Sequence, residues 1–347
     1  MKVSTDFDRI KKEWDNYDVN DFTHSSFLEI FYSRHPNIEH IFVLNKELRL
    51  YGHLLTLRFN KISNYLNKKT LAFVFQFFKF KILYLTNSFI TNVPSFISKE
   101  KINLGNLISS LKCSYDLLIL PDFVYYYTVS QKKKFFKIEV EPEMVVEIKD
   151  HWSNLEDYIF ELKKKYRKKI KNVLKLSSEI KIRQMNSQDF EKYSDKIQEL
   201  YLNVIKESSF YGPIFNTNSF KLLTKKKFFR LSGYFLNNKL VAFSSEIHQD
   251  KTLYSYFVGY DKDLNKRFAL YPRILIENIN TAITLKKEKL ILGRTANEFK
   301  SNFGAKPIKS YIYIYVKNIF IRVLLIPVFK KLKVNPWQQR NPFRDIK

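Results

Sequence analysis

The chain has 347 residues, 45% of them hydrophobic and 16% aromatic, enough for two domains of about 150 residues with packed cores, which excludes a disordered polymer. Sixty Lys and Arg against 34 Asp and Glu give a formal net charge of +26. That balance favours RNA, phosphate-bearing cofactors or an acidic membrane surface as partners, although scattered lysines in a Lys/Asn/Ile/Phe/Tyr-rich composition are also an ordinary solvated surface. A single cysteine, Cys113, excludes an intrachain disulfide framework and fits a reducing cytoplasm. The charged start, MKVSTDFDRIKKEWDNYD, lacks the apolar stretch of a signal peptide. The apolar runs at 70–85 and 318–329 are broken by Lys79, Lys81, Arg322 and Pro327, short of the roughly 20 residues that span a bilayer. The second run is flanked by Lys317, Lys330, Lys331 and Lys333. It reads first as a packed C-terminal helix and, as the alternative, as a segment lying on an anionic membrane, so a cytoplasmic location is expected, with membrane-peripheral contact as the alternative.

In chain order, IEHIFVLN and ELRLYGHLLTLRFN read as a hairpin turning at Asn45 and Lys46. FKFKILYLTN alternates as a strand, KEKINLGNLISSLK reads as a helix, YDLLILPDF as a buried strand, and KKFFKIEVEPEMVVEIKD as one or two strands. No glycine-rich loop or cluster of catalytic residue types stands out in this first half. The stretch 154–176 reads as one long helix with Leu155, Tyr158, Ile159, Leu162, Tyr166, Ile170, Val173 and Leu174 on an inward stripe. Ser153 or Asn154 caps it, and the lysines from Lys163 to Lys175 form either a solvated face or an anion-binding ridge.

The second half reads as a strand at 179–185, a helix at 187–209, a loop holding FYGPIF, and a short helix at 217–226. Three strands follow at 227–237, 239–249 and 252–261, joined by tight turns at Asn237-Asn238 and Asp250-Lys251. A loop, DKDLNKRFA, leads to a helix at 269–287, a strand KLILGRT, a short helix ANEFKSNFG and a last strand KSYIYIYVKN.

That order resembles the GNAT acyltransferase fold. LGRTANEFKSNFGAKP, preceded by FVGYDKDLNKRFALYPRILIENI, is similar to the FemAB-like, peptidoglycan-biosynthesis-related branch of that superfamily. The resemblance implies an α/β (α+β) protein of two tandem GNAT-like domains, each a mixed, mostly antiparallel sheet flanked by helices. The expected boundaries are a degenerate first domain at 1–150, a connecting basic helix at 151–178, an acyltransferase domain at 179–318, and a C-terminal helix and tail at 319–347.

The implied activity is N-acyl transfer from acyl-coenzyme A to an amine of a small molecule or cell-envelope precursor, by direct attack. The alternatives are a Fem-type transferase taking its acyl group from aminoacyl-tRNA, and a non-catalytic module binding RNA or an anionic envelope component. The loop at 265–271 occupies the place of the GNAT pyrophosphate cradle, so Asp261, Asn265, Lys266, Arg267, Ala269 and Tyr271 are expected to hold the donor. The family's Gln/Arg-x-x-Gly-x-Gly/Ala pattern is incomplete there, because NKRFAL keeps Ala269 but has no glycine.

Glu246, a carboxylate in an otherwise apolar strand that shares a face with Ser244 and His248 by alternation, is the expected base. Tyr256, Tyr260 and Tyr271 are candidates for proton donor or substrate wall, with Tyr256 taken as the catalytic one. Gly293, Arg294, Glu298 and Lys300 are expected on the substrate, with Gly293 allowing close approach and Arg294 offering a fork to phosphate or carboxylate unless it pairs with Glu298. The six histidines show no short metal-ligand spacing, and no Walker loop, dinucleotide fingerprint or nucleophile elbow is present. No metal is therefore expected.

Overall fold

The structure, a computed structural model, describes residues 1–16, 20–58, 79–129, 135–206 and 213–344. Residues 59–60, 70–78 and 133–134 of the expected strands and apolar run, 207–209 of the expected helix, and 210–212 of the FYGPIF loop lie outside these.

The chain folds into two compact units. Unit one comprises 1–140, 211–216 and 310–334, and unit two comprises 141–210, 217–309 and 335–347. This division differs from the sequence-based boundaries: 141–150 joins unit two, 211–216 and 310–318 of the expected acyltransferase domain join unit one together with 319–334, and 335–347 returns to unit two.

Unit one is built on β1 (Lys2–Ser4), β2 (Glu39–Leu44), β3 (Leu48–Arg58), β4 (Lys79–Tyr84), β5 (Phe96–Ser98), β6 (Ile102–Asn103), β7 (Leu117–Pro121) and β8 (Thr128–Val129). The long strand β9 (Phe136–Glu147) runs straight through Pro142 and carries the chain into unit two. Unit two adds β10 (Lys181–Met185), β11 (Phe229–Leu236), β12 (Lys239–His248), β13 (Thr252–Tyr260) and β14 (Lys289–Ile291), after which β15 (Lys306–Val316) returns to unit one.

The two units share one strand plan. In unit one β1, β2, β3 and β4 run antiparallel, β7 lies parallel to β4, and β15 closes antiparallel to β7. In unit two β10, β11, β12 and β13 run antiparallel, β14 lies parallel to β13, and β9 closes antiparallel to β14. Each sheet is thus a mixed, mostly antiparallel one of the expected class; the first is closed by β15, which comes from outside unit one's N-terminal block, and the second by β9, which precedes β10 in the chain.

Helix–sheet packing follows the apolar patterns. Ser187–Ile205 buries Phe190, Ile197, Leu200 and Tyr201, and Leu270–Thr284 buries Leu275, Ile276, Ile279 and Ile283 in a core with Met144, Val146, Leu253 and Leu290. The β11–β12 turn places Asn237 and Asn238 at φ 47° and 62°, the left-handed pair that matches strand twist.

Two local expectations are corrected. The stretch 154–176 forms two helices, Leu155–Glu161 and Lys164–Leu176, rather than one. Leu162 is extended at ψ 144°, and the tail supplies the replacement bonds: Lys163 N–H donates to Pro342 O and Arg344 N–H to Glu161 O. The loop DKDLNKRFA is instead a helix, Lys262–Phe268, capped by Asp261 Oδ1, which accepts from Asp263 N and Leu264 N at 3.0 Å each.

Unit one holds a buried histidine chain. His35 Nδ1 reaches Phe31 O at 3.1 Å while Nε2 accepts from Asn216 N–H at 2.9 Å. His40 Nε2 reaches His35 O at 3.2 Å, and its Nδ1 lies 2.7 Å from Tyr51 Oη. Tyr51 Oη is 2.8 Å from His53 Nε2, and His53 Nδ1 accepts from Ser88 N–H at 3.2 Å. Followed end to end, each ring has one donating and one accepting nitrogen, the neutral tautomer. Asn216 belongs to unit one by its packing, so the chain is continuous within that unit.

Candidate functional site

The site is built where the unit-two sheet changes from antiparallel to parallel. β13 pairs with β14 only from Thr252 to Tyr254, matched to Lys289 through Ile291, and then runs on to Tyr260 after β14 has ended. On its other edge the β12–β13 register shifts between Ser244 and Glu246, so Ser245 stands opposite both Tyr256 and Phe257. Ser245 Oγ bridges the bulge, donating to Phe257 O at 2.8 Å and accepting from Phe257 N–H at 2.9 Å. A bulge of this kind bends a strand and re-aims its side chains.

Glu246 is 3% exposed on β12. Asn278, fully buried on the helix Leu270–Thr284, fixes one carboxylate oxygen: its Nδ2 donates to Glu246 Oε1 at 3.1 Å and to Ile274 O at 3.2 Å, and its Oδ1 accepts from Ser255 Oγ at 2.7 Å. The other oxygen, Oε2, has no hydrogen-bond partner and lies 3.5 Å from His248 Nε2, which is likewise buried and unbonded. Arg230, the cross-strand partner of Glu246 on β11, also buries its Nε without a partner. Leaving such groups unmatched costs roughly 1–3 kcal/mol each, so three on neighbouring strands call for a partner that a water or a substrate group can supply. The alternation that put Ser244, Glu246 and His248 on one face matches their sheet partners Val258, Ser255 and Leu253.

Tyr256 is not brought to Glu246. Its hydroxyl is enclosed beside Tyr201 of the helix Ser187–Ile205, and burial pushes it well above the usual phenol range. The two expected catalytic residues therefore lie against different helices.

The expected donor cradle is organised by its own residues. Asn265 Oδ1 accepts from Tyr271 N–H at 2.8 Å, which caps the helix Leu270–Thr284 from within. Ala269 joins the two helices at φ 49° and ψ 47°, the left-handed conformation that explains why glycine suits this place. Replacing Ala269 by Gly is expected to raise stability by about 0.5–1 kcal/mol, the left-handed cost of an L-residue less the entropy of a freer unfolded chain. A lowered denaturation midpoint would show that the cap, not the backbone conformation, dominates. Lys266 and Arg267 are exposed in the last turn of Lys262–Phe268. Tyr271 stacks between Tyr260 and Phe299 at centroid distances of 5.6 and 5.5 Å.

The segment Gly293–Ala296 turns sharply, with Gly293 at φ 72°, Thr295 at 66° and Ala296 at 50°. Lys300 lies behind it, 4% exposed, donating to Gly293 O at 3.1 Å and Arg294 O at 2.8 Å. Burial lowers its ammonium to about 7, against the opposing pull of Glu141 and Glu143. Arg294 faces Glu143 at 4.0 Å, while Glu298 pairs with Arg340 of the tail, so the expected Arg294–Glu298 pair does not form. Asn297 donates to Glu141 Oε2 at 2.6 Å. Lys300 and Glu298 thus hold the turn and the tail; Thr295 and Ala296 are exposed, Arg294 is half-buried, and nothing lies within 4 Å of where a Gly293 Cβ would sit. Among the described residues no group of three or more His, Cys, Asp or Glu could hold a metal ion.

Asn278, Ser255, Arg230, Glu141 and Glu143 were not singled out from sequence. Asn278 carried a usable signal: it is the one polar residue on the apolar stripe of Ile274, Leu275, Ile279 and Ala282.

No family model matches the chain, and the search of curated proteins found no match. Solved structures do match in fold. The structure of FemX superposes with a TM-score of 0.52 at 9% identity, covering 94% of this chain and 100% of that one. The structure of L-PGS from Bacillus licheniformis gives 0.53 at 12%, covering 95% and 98%.

Proposed function

We propose that this chain, which has a FemAB-like GNAT fold, is a transferase that moves an aminoacyl group from an RNA-borne ester to an amine. The observation that carries the choice of donor is the Asn265–Tyr271 cap. The Tyr271 N–H at the start of the helix is already satisfied at 2.8 Å by a side chain of the same loop, and Pro272 has no N–H, which leaves few donors for a coenzyme A pyrophosphate there. The acyl-coenzyme A donor expected from sequence is the weaker reading on that ground. The exposed lysines Lys164, Lys165, Lys168, Lys169, Lys171 and Lys175 support the same choice, because they line the outer side of a helix whose inner side buries Ile170 and Val173 in unit two. A ridge of this kind tracks a phosphate backbone.

In this reading the amine nitrogen attacks the ester carbonyl, the carbon–oxygen bond to the ribose breaks, and the ammonium proton passes to Glu246 Oε2. Asn278 holds Oε1 so that Oε2 keeps its direction, and His248 stands ready to take the proton onward. The proton finally replaces the lost acyl group on the ribose hydroxyl. Arg294, at the turn beside β14, grips an anionic part of donor or acceptor.

Transfer of a labelled amino acid from charged tRNA to amine acceptors tests the reading, alongside calorimetry with acetyl-coenzyme A. Transfer without coenzyme A binding is expected. Saturable micromolar binding of acetyl-coenzyme A would return the chain to the coenzyme A-dependent enzymes. Glu246→Gln is expected to lower turnover by about 10²-fold or more with an unchanged melting temperature; an unchanged rate across pH removes Glu246 from the proton transfer.

A further inference from the structure

The helix Ile319–Phe329 belongs to unit one, where Leu325, Val328 and Phe329 are buried against Phe80, Ile82, Ile138 and Ile314. Asn318 Oδ1 starts it, accepting from Phe320 N at 2.8 Å and Ile321 N at 3.2 Å. Its other side is apolar as well. Ile319 is 61% exposed, Phe320 82% and Val323 61%, and Pro327 is also exposed. Phe320, Val323 and Pro327 are spaced i, i+3, i+7, so they form one stripe. Isolated surface hydrophobes need no explanation, but a stripe of this kind does.

The stripe ends in cations. Lys317 lies three residues before Phe320, and Lys330, Lys331 and Lys333 follow Pro327, all of them exposed. Between 317 and 333 the sequence has these four lysines and Arg322 and no Asp or Glu. Arg322 lays its guanidinium over the Phe136 ring at 5.1 Å, which leaves the stripe itself uncharged. An apolar stripe between basic ends is complementary to one surface above others, a bilayer with anionic headgroups: the rings and methyls enter the acyl boundary while the lysines stay among the phosphates. Among the described residues no helix is long and apolar enough to cross a membrane, so such an attachment lies in the interface plane.

We propose that the outward side of Ile319–Phe329 docks unit one onto an anionic lipid surface through Ile319, Phe320 and Val323, with Lys317, Lys330, Lys331 and Lys333 on the headgroups. The inference is independent of the transferase reading, because its readout is binding and not turnover.

The test is flotation of the full chain with vesicles of phosphatidylglycerol and phosphatidylcholine, compared with phosphatidylcholine alone. Wild-type protein should bind the anionic vesicles at least tenfold more tightly. The double variant Phe320→Ser/Val323→Ser leaves the net charge at +26, yet should bind them at least tenfold more weakly than wild type at an unaltered melting temperature. Equal binding of wild type and variant would reduce the effect to general charge adsorption and overturn the proposal, as would absence of binding. A lipid-free dimer that the double variant dissociates would assign the stripe to a second copy instead. Phe320→Trp decides the matter if the double variant fails to fold: its emission, less that of wild type, should shift to the blue on adding anionic vesicles. Unshifted emission from vesicle-bound protein would overturn the proposal.

Discussion

Lowering the pH from 7 to 5 is expected to destabilise unit one by about 4 kcal/mol. Burial holds His35 and His40 at about 4, from an ordinary 6.5, against the smaller upward pull of the Phe31 and His35 carbonyls respectively, with His40 adding slightly to the lowering at His35. His53 is pushed well below the ordinary range, first by burial and then by His40 and His35. A histidine whose folded pKa is lowered contributes stability that is fully present above the unfolded value near 6.5 and is lost as the pH falls toward the folded value. At pH 5 the unfolded chain has gained protons over about 1.5 pH units, which is about 2 kcal/mol for each of His35 and His40 at 1.36 kcal/mol per unit. His53 acts in the same direction.

The geometry says why the folded rings resist charge. Protonating His35 puts a second N–H where Asn216 N–H already donates, and protonating His53 does the same against Ser88 N–H. Two other shifted groups fall outside the window. Lys300, lowered to about 7, changes its contribution between there and its ordinary 10.5, and Glu161, held at about 2 by Lys149, His151 and Trp152 against its desolvation, matters only below 4.5. Denaturant midpoints at the two pH values measure the loss, and His40→Gln should shrink the difference by about 2 kcal/mol because glutamine does not titrate. Equal stability at pH 5 and 7 would mean that the three rings carry charge in the fold.

Gly259→Ala is expected to cost about 3 kcal/mol, at the upper end for overpacking. A Cβ there would collide with Phe243 Cε1 and stand 2.7 Å from both Leu200 C and Tyr201 N. A ring can swing away, but the last two atoms are backbone of the helix Ser187–Ile205, so the helix would have to lift off β13. Tyr201, which neighbours the Tyr256 hydroxyl, would move with it. Gly293→Ala is the control: its added methyl meets nothing within 4 Å, and only its φ of 72° opposes the change, a loss of about 1 kcal/mol. Comparable losses at the two positions would show that the sheet–helix approach at Gly259 is softer than its distances imply.

Most of unit two was legible because its signals are local. The alternation in β11, β12 and β13, the paired asparagines of the turn and the apolar stripes of the two long helices are properties of adjacent residues. The same alternation placed Glu246 correctly relative to Ser244 and His248. What the sequence concealed depends on distant partners. The break at Leu162 exists because Pro342 and Arg344 bond across it, and nothing near 162 announces that. Capping by Asp261 turned an expected loop into a helix, a choice in which Asp261 and the apolar Leu264 and Phe268 outweigh the loop-like look of DKDLN. Arg294 and Glu298, four apart on paper, are drawn to Glu143 and Arg340 respectively, since the left-handed turn at 295–296 removes them from a common helix face. Residues 35, 40 and 53 show no metal spacing as a string, and their actual role, a neutral hydrogen-bonded chain, needed the sheet to bring them together.

Because β15 closes the first sheet from beyond most of unit two, and the tail 335–347 returns to unit two, neither unit is a contiguous piece of polypeptide. A ribosome working from the N-terminus releases the first unit's early strands long before residues 312–316 exist to pair with β7. The second unit in turn waits for the tail, whose Phe343 packs against Gly304 and bridges Leu162. Nascent chains shorter than about 316 residues therefore have an open edge in the first sheet, which is where a chaperone would be expected to bind, and where shortened expression products would be expected to aggregate.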